Sequence, residues 1–387
     1  MIATQAWVLR RAAPGEERAR ARLSLEELSF PEPGPDEVLV EPLFGCWEGN
    51  LEHALARDPV DICALRNEDR VVVGNSGVVR ILSAGSQVTA RKEGDLAIIG
   101  GTSYRGADGF GYARRIFAYD MPNTIGLLAR RTKLLASETM LVPSPSRLSL
   151  EQWAAFGVRY VTAWSNWKVA YACWRSQLDE DEMPHPYVWG WGGGTALAEV
   201  CLARHFGADA ALIASGPERL RQLEALGVRP VDRAPFADLD FDPARHAADA
   251  EYRKRYDAAE RRFLMTVGKL TGGKGISILI DNIGAPLFRA SSKALARMGV
   301  LATCGWKHGM KLAYERGAAC INRHLFVHTH YARQREAEAA AAFAEETGWA
   351  PTGLSRTYDF EEIPALAADY AAGAVRSYFP IYRVNPI

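Results

Sequence analysis

One stretch of the chain constrains its fold more than any other: PYVWGWGGGTALAEVCLARHFGA, residues 186–208. An aromatic and β-branched run, Tyr187 to Gly190, passes through a glycine-dense turn directly into a helix-forming run, Thr195 to Phe206. At the first βα turn of a doubly wound sheet, glycines let the backbone approach a pyrophosphate. The free N–H groups and positive dipole of the helix N-terminus then take its charge. Gly190, Gly193 and Gly194 are the candidates, with Ala196 in the close-packing position. Trp191 is a bulky departure, expected to narrow the approach or to shield a bound ligand. The alternative is that the glycines only make a tight turn.

The neighbouring text favours the first reading. Strand signals at Tyr187 to Gly190 and Ala210 to Ser215 alternate with helix signals at Thr195 to Phe206 and Pro217 to Leu226. The series resumes with ISILIDNIG (276–284), a helix over Phe288 to Met298 and a strand over Gly299 to Cys304. Repeated units of this length imply an α/β fold with a parallel sheet covered on both faces. The insert around AADAEYRKRYDAAERRF is read as an ordinary solvated helix. From Leu23 to about Val142 the chain instead shows short β-rich runs broken by Gly and Pro, as in a small twisted barrel. The tail after Leu354 reads strand, helix, strand. The expected division is a β-rich domain over 1–150, completed by about 335–387, and a nucleotide-binding domain over 151–334.

Composition narrows the partners. Lys+Arg and Asp+Glu are equal at 46 each, which removes the electrostatic footprint of a nucleic-acid or anionic-membrane binder. No run approaches the roughly 18 apolar residues that span a bilayer, and the start lacks a signal-peptide core, so a cytoplasmic location is expected. The six cysteines are far apart with no C-x-x-C, and are read as reduced thiols.

The second strand ends ALIASGPERL, with no Asp or Glu where a ribose 2′-hydroxyl would be held. Ser215, Gly216 and Arg219 stand there instead. A hydroxyl and a guanidinium suit a 2′-phosphate, which favours NADP(H) over NAD(H). The alternative for Arg219 is a solvated helix residue.

The order of elements, with GNSGVVRILSAGSQVTARKEGD (74–95) ahead of the glycine loop, resembles the medium-chain dehydrogenase/reductase superfamily. Its pattern there is G-H-E-x-x-G followed by V-G and K-x-G-D. TGGKGISILIDNIG, ATCGWKHGMKLAYE, INRHLFVHTHYARQREAE and LSRTYDFEEIPA resemble the crotonyl-CoA carboxylase/reductase group. The resemblance covers nearly the whole chain. It implies a GroES-like catalytic domain, a Rossmann domain, a cleft between them, and a homodimer or homotetramer. Where zinc-using members carry a ligand His this chain has Asn75, so no metal is expected, although Cys46 and His53 remain as possible ligands.

The resemblance places Thr162 on the nicotinamide side; Asp281 with Asn282, and Cys304 with Gly305, end two successive strands at the switch-point crevice, and ligands bind outside the carboxyl ends of such strands. Ordinary turn residues are the alternative for the last four. The family's catalytic Cys or Asn falls near Glu48, within GCWEGN, so Glu48 and Asn50 are expected to line the substrate site, Glu48 as proton donor or base. An exposed loop residue is the competing reading. His330 falls on the family's S-H-F-A-N-Y-R-E-A segment as a further proton donor, or as one of three structural histidines with His324 and His328. Trp47, Trp164, Trp167, Trp191 and Trp306 are read as an apolar substrate surface or as core.

In zinc-free members the reaction is hydride transfer to the β-carbon of an activated alkene and protonation at the α-carbon. The expected activity is NADPH-dependent reduction of an enoyl thioester or conjugated carbonyl. The carboxylating pocket is not expected, because its acidic position lands on Arg130 and its Asn near Glu48. A zinc-free carbonyl or quinone reductase and a catalytically idle nucleotide-binding protein are the alternatives.

Overall fold

A computed structural model describes residues 1–16, 19–100, 115–305, 307–309, 311–329, 332–354 and 356–387. The chain divides into two units, residues 1–161 with 331–387, and residues 162–330.

The first unit begins with β1 (Ile2–Arg10), an element that the reading of β-rich text from Leu23 onward left out. It is followed by β2 (Leu23–Phe30), β3 (Glu37–Cys46), α1 (Gly49–Ala56), α2 (Ile62–Arg66), β4 (Arg70–Val71), β5 (Gly77–Ala84), β6 (Leu96–Ile99), β7 (Thr132–Leu135) and β8 (Thr139–Leu141). Helix α3 (Leu150–Arg175) contains the division between the units. A three-stranded sheet has the order β2-β1-β4. In the larger sheet, β3 is flanked by β5 on one side and by the last strand of the chain on the other. Alternation along β3 buries Val38 and Val40, which pack with Val79, Ile81 and Leu134.

The second unit holds β9 (Tyr187–Trp191), α4 (Gly194–His205), β10 (Asp209–Ala214), α5 (Pro217–Ala225), β11 (Arg229–Asp232), α6 (Pro243–Ala248), α7 (Ala250–Leu270), β12 (Ile276–Ile280), α8 (Ala285–Ala294), β13 (Leu295–Thr303), α9 (Arg316–Ile321) and β14 (Leu325–His328). Its six strands are parallel, in the order β11-β10-β9-β12-β13-β14. The chain leaves β9 in one direction to β10 and β11 and returns on its other side as β12, so the topological switch lies between β9 and β12. The chain then re-enters the first unit with α10 (Gln334–Thr347), β15 (Thr357–Tyr358), α11 (Ile363–Ala371) and β16 (Ile381–Arg383), which pairs antiparallel with β3.

Two expectations are corrected here. The helix expected over Phe288 to Met298 stops at Ala294, and the following strand starts at Leu295 rather than Gly299. Helix-forming KALARM loses to tertiary pairing: Leu295 pairs with Ile276, Gly275 packs on the Ala296 backbone, and Met298 turns at φ 63°. Nor is α7 simply solvated. Tyr252, Tyr256, Ala259, Phe263 and Val267 recur at helical spacing and are buried in one cluster with Trp191 and Phe236.

Candidate active site

The glycine loop performs three different tasks. A Cβ at Gly190 would stand 3.0 Å from Leu212 and 3.4 Å from Ala196 and Val200, so this glycine lets α4 pack on the sheet. Gly192, which the sequence reading did not single out, donates its N–H to Ile213 O at 2.9 Å and ties the turn to β10. Gly193 caps α4 at φ 146°, a conformation open to glycine, and no atom lies within 4 Å of its missing Cβ. Gly194 opens the helix, whose first N–H groups have no side-chain cap. A backbone cradle with open space before it results.

Ser215 follows β10 directly and is exposed, and Arg219 lies in the first turn of α5. Register pairing of Ile213 with Trp191 brings that strand end beside the glycine loop. Trp191 itself does not guard the turn. It is buried at the end of β9, and its Nε1 donates to Ser291 Oγ at 2.9 Å. Trp47 and Trp167 are likewise core residues, Trp164 is half-buried, and Trp306 lies outside the described residues.

Beyond β12, Asp281 turns inward. It accepts from Ser291 Oγ at 2.7 Å and from the N–H groups of Ile283 and Gly284 at 2.9 and 3.2 Å. Burial pushes its carboxyl pKa up. These bonds make it a builder of the turn. Asn282 braces the next strand end, accepting at Oδ1 from Cys304 N at 2.9 Å and Sγ at 3.3 Å. Thr303 Oγ1 donates to Gly305 O at 2.8 Å. Asn282, Cys304 and Gly305 are thus held together at the carboxyl end of β13, while Thr162 is half-buried on α3. Burial is the main cause that raises the Cys304 thiol pKa.

In the first unit, Glu48 is 5% exposed, which overturns the exposed-loop alternative. It caps α1 by accepting from Asn50 N at 2.9 Å, and its Oε1 is buried without a hydrogen-bond partner. Desolvation pushes its pKa up, opposed by the Asn50 N–H, Arg159 and the Leu51 N–H. Arg159 is already committed, donating to Trp47 O at 2.8 Å and to Tyr378 O. Asn50 itself is half-buried in the first turn of α1. One neighbour escaped the sequence reading. Tyr382 of β16 lies across Gly45, its hydroxyl buried without a hydrogen-bond partner, and the Oδ1 of Asn75, the residue expected in the ligand-His position, is in the same condition. Cys46 is buried, and desolvation pushes its thiol up to about 11. Among the described residues, no three His, Cys, Asp or Glu side chains are grouped to hold a metal ion. His330 lies outside the described residues. Arg130 is engaged with Glu361 at 2.8 Å and stacked over Phe360.

Sequence reasoning also missed Glu199 and Asn166. The acid is the single charged residue in the apolar run TALAEVCLA, which is the one signal available. Asn166 Nδ2 donates to its two oxygens at 3.1 and 2.9 Å, and burial pushes the Glu199 pKa up to about 8.

Switch-point topology and the glycine cradle define a Rossmann-type unit beside a β-rich first unit, an α/β fold shared with solved crotonyl-CoA carboxylase/reductases and alcohol dehydrogenases. The similar chains are crotonyl-CoA reductases by sequence and crotonyl-CoA carboxylase/reductases by fold. No family model matches it. A crotonyl-CoA reductase of Streptomyces collinus is 24% identical over 370 residues, 90% of this chain and 79% of the relative. A crotonyl-CoA carboxylase/reductase solved with NADP superposes at a TM-score of 0.79 with 23% identity, covering 99% of this chain and 95% of that one. A 2-octenoyl-CoA carboxylase reductase solved with NADP and 2-octenoyl-CoA superposes at 0.77 with 20% identity, covering 98% and 87%. Among the described residues, no helix is long and apolar enough to cross a membrane.

Proposed function

We propose that this chain is an NADPH-dependent reductase of the C=C bond of an enoyl thioester, acting without zinc and without carboxylation. The observation that carries the reading is the uncapped α4 N-terminus with open space at Gly193, beside a strand end that offers Ser215 and Arg219 and no acid. These residues fit a dinucleotide with a 2′-phosphate: backbone N–H groups for the pyrophosphate, hydroxyl and guanidinium for the phosphate. The relatives solved with NADP support the same cofactor here.

When bound, the cofactor supplies a hydride to the β-carbon of the substrate. The chain's residues bind, orient and protonate. Thr162, Asn282, Cys304 and Gly305 are proposed to position the nicotinamide end, with Asn282 fixing the last two. Glu48 is proposed to protonate the α-carbon, because desolvation favours its acid form and its Oε1 carries no competing bond. Asn50 holds the other oxygen, and His330 is a second proposed donor. The absence of zinc is supported by Asn75 in the ligand position. An acid able to give up a proton at Glu48, with Arg130 committed to Glu361, favours protonation of the enolate over its carboxylation.

The test is NADPH oxidation in bicarbonate buffer against enoyl thioesters, enones, quinones and aldehydes, followed by product mass. Saturated acyl thioester without added CO₂ is the expected product. Turnover confined to quinones or aldehydes, or a carboxylated product, overturns the proposal.

A further inference from the structure

One carboxyl of the second unit has no part in the reading above. Glu199 is the sixth residue of α4 and has no exposed surface. Its partner Asn166 stands four residues, one helical turn, beyond Thr162 on α3. Asn166 gives its amide hydrogens to both Glu199 oxygens, while its own carbonyl oxygen is buried with no hydrogen-bond partner. A carboxylic acid, unlike a carboxylate, carries the O–H donor that such a carbonyl lacks.

Among the described residues, no cation contributes to the shift of Glu199. From α3 comes Asn166, and from the end of β13 comes Cys304, whose thiol feels the charge of Glu199. The strands under α4 carry Tyr187 and Asp209 at their opposite ends, and Asp209 pairs with Arg229 at 3.3 Å. The helix's own Arg204 and His205 lie in its last turn. Among the described residues, no Lys, Arg or His bears on the ionisation of Glu199, which burial dominates. The acid is near enough to Cys304, at the strand end proposed above for the nicotinamide, to act on its thiol.

We propose that Glu199 is a proton-exchanging acid of the nucleotide crevice, neutral until an oxidised, cationic nicotinamide lies there and then releasing its proton to solvent. The inference rests on the nucleotide site proposed above. Loss of a hydride with its two electrons leaves the ring one unit more positive. Loss of H⁺ from Glu199 returns the local charge to its former value. Asn166 is the positioning residue, because its N–H groups support the carboxylate form once made.

The experiment is calorimetric titration of the full chain with NADP⁺ and with NADPH, in buffers of different ionisation enthalpy. NADPH carries the same 2′-phosphate and cancels its titration. Relative to NADPH, NADP⁺ should release a proton on binding, and its affinity should rise on the order of tenfold between about pH 6 and about pH 9. In Glu199→Gln the difference should vanish, and in Asn166→Leu it should move to higher pH. Infrared spectra of the nucleotide-free protein should show the C=O stretch of a protonated carboxyl at neutral pH that Glu199→Gln removes. A linkage retained in Glu199→Gln, a linkage absent from the wild type, or a missing infrared band overturns the inference. Failure to bind either nucleotide, with the band present, overturns the nucleotide site and the link to it.

Discussion

A carboxyl removed from water keeps its proton to unusually high pH, and burial does this both to Glu48 at the start of α1, against the pull of Arg159, and to Glu199 within α4, where no cation opposes it among the described residues. For Glu199 the sign of the linkage is direct. Its folded pKa of about 8 lies above the ordinary 4.5, so the stability it allows is full below 4.5 and is lost as pH rises through 8. Glu199→Gln, which cannot ionise, should escape that loss. Urea unfolding should show the two proteins diverging with rising pH, by on the order of a few kcal/mol at about pH 9. Glu48→Gln keeps an acceptor for Asn50 N but has no proton to give. Its proposed turnover should fall by about a hundredfold or more, with the NADPH dissociation constant unchanged. The wild-type rate should decline as pH rises through the raised Glu48 pKa, measured as a pH–rate profile.

At the scale of elements, α7 and β16 carry sharp expectations. Phe263→Ala opens the cluster beneath α7 and should cost about 3–5 kcal/mol in denaturant unfolding, whereas Lys254→Ala on the exposed face should stay within about 0.5 kcal/mol. Gly45→Ala places a methyl group against the buried Tyr382 ring where β16 meets β3. It should lower stability by about 1–3 kcal/mol, read as a drop in Tm. The glycine loop and the alternation of strands with helices were legible because each is a local pattern: turn chemistry at 190–194 and a change of period on either side. The end of α8 was not, since KALARM has helical propensity and only pairing of Leu295 with Ile276 decides it. Glu199 was illegible for the same kind of reason. Its burial depends on Asn166, which lies 33 residues away in the chain. Asp281 was placed at the crevice by its strand-end position alone, and its bond from Ser291 was not legible from that position.

At the scale of the molecule, binding at the proposed nucleotide site should stabilise the whole fold by mass action, about 2.7 kcal/mol at a hundredfold excess of NADPH over its dissociation constant. In Gly193→Ala the strained cap and the filled space before α4 should remove most of that gain in a thermal-shift titration. The division of the chain also has a consequence in time. Residues 162–330 form one unbroken segment, whereas the first unit is split between 1–161 and 331–387. During synthesis the second unit therefore has all of its strands as soon as residue 330 emerges. β3, made long before, must wait for Ile381–Arg383 before its edge beside Cys46 is paired. Ribosome-arrested chains ending soon after residue 330 has cleared the exit tunnel should resist protease across the second unit while the first is still cut.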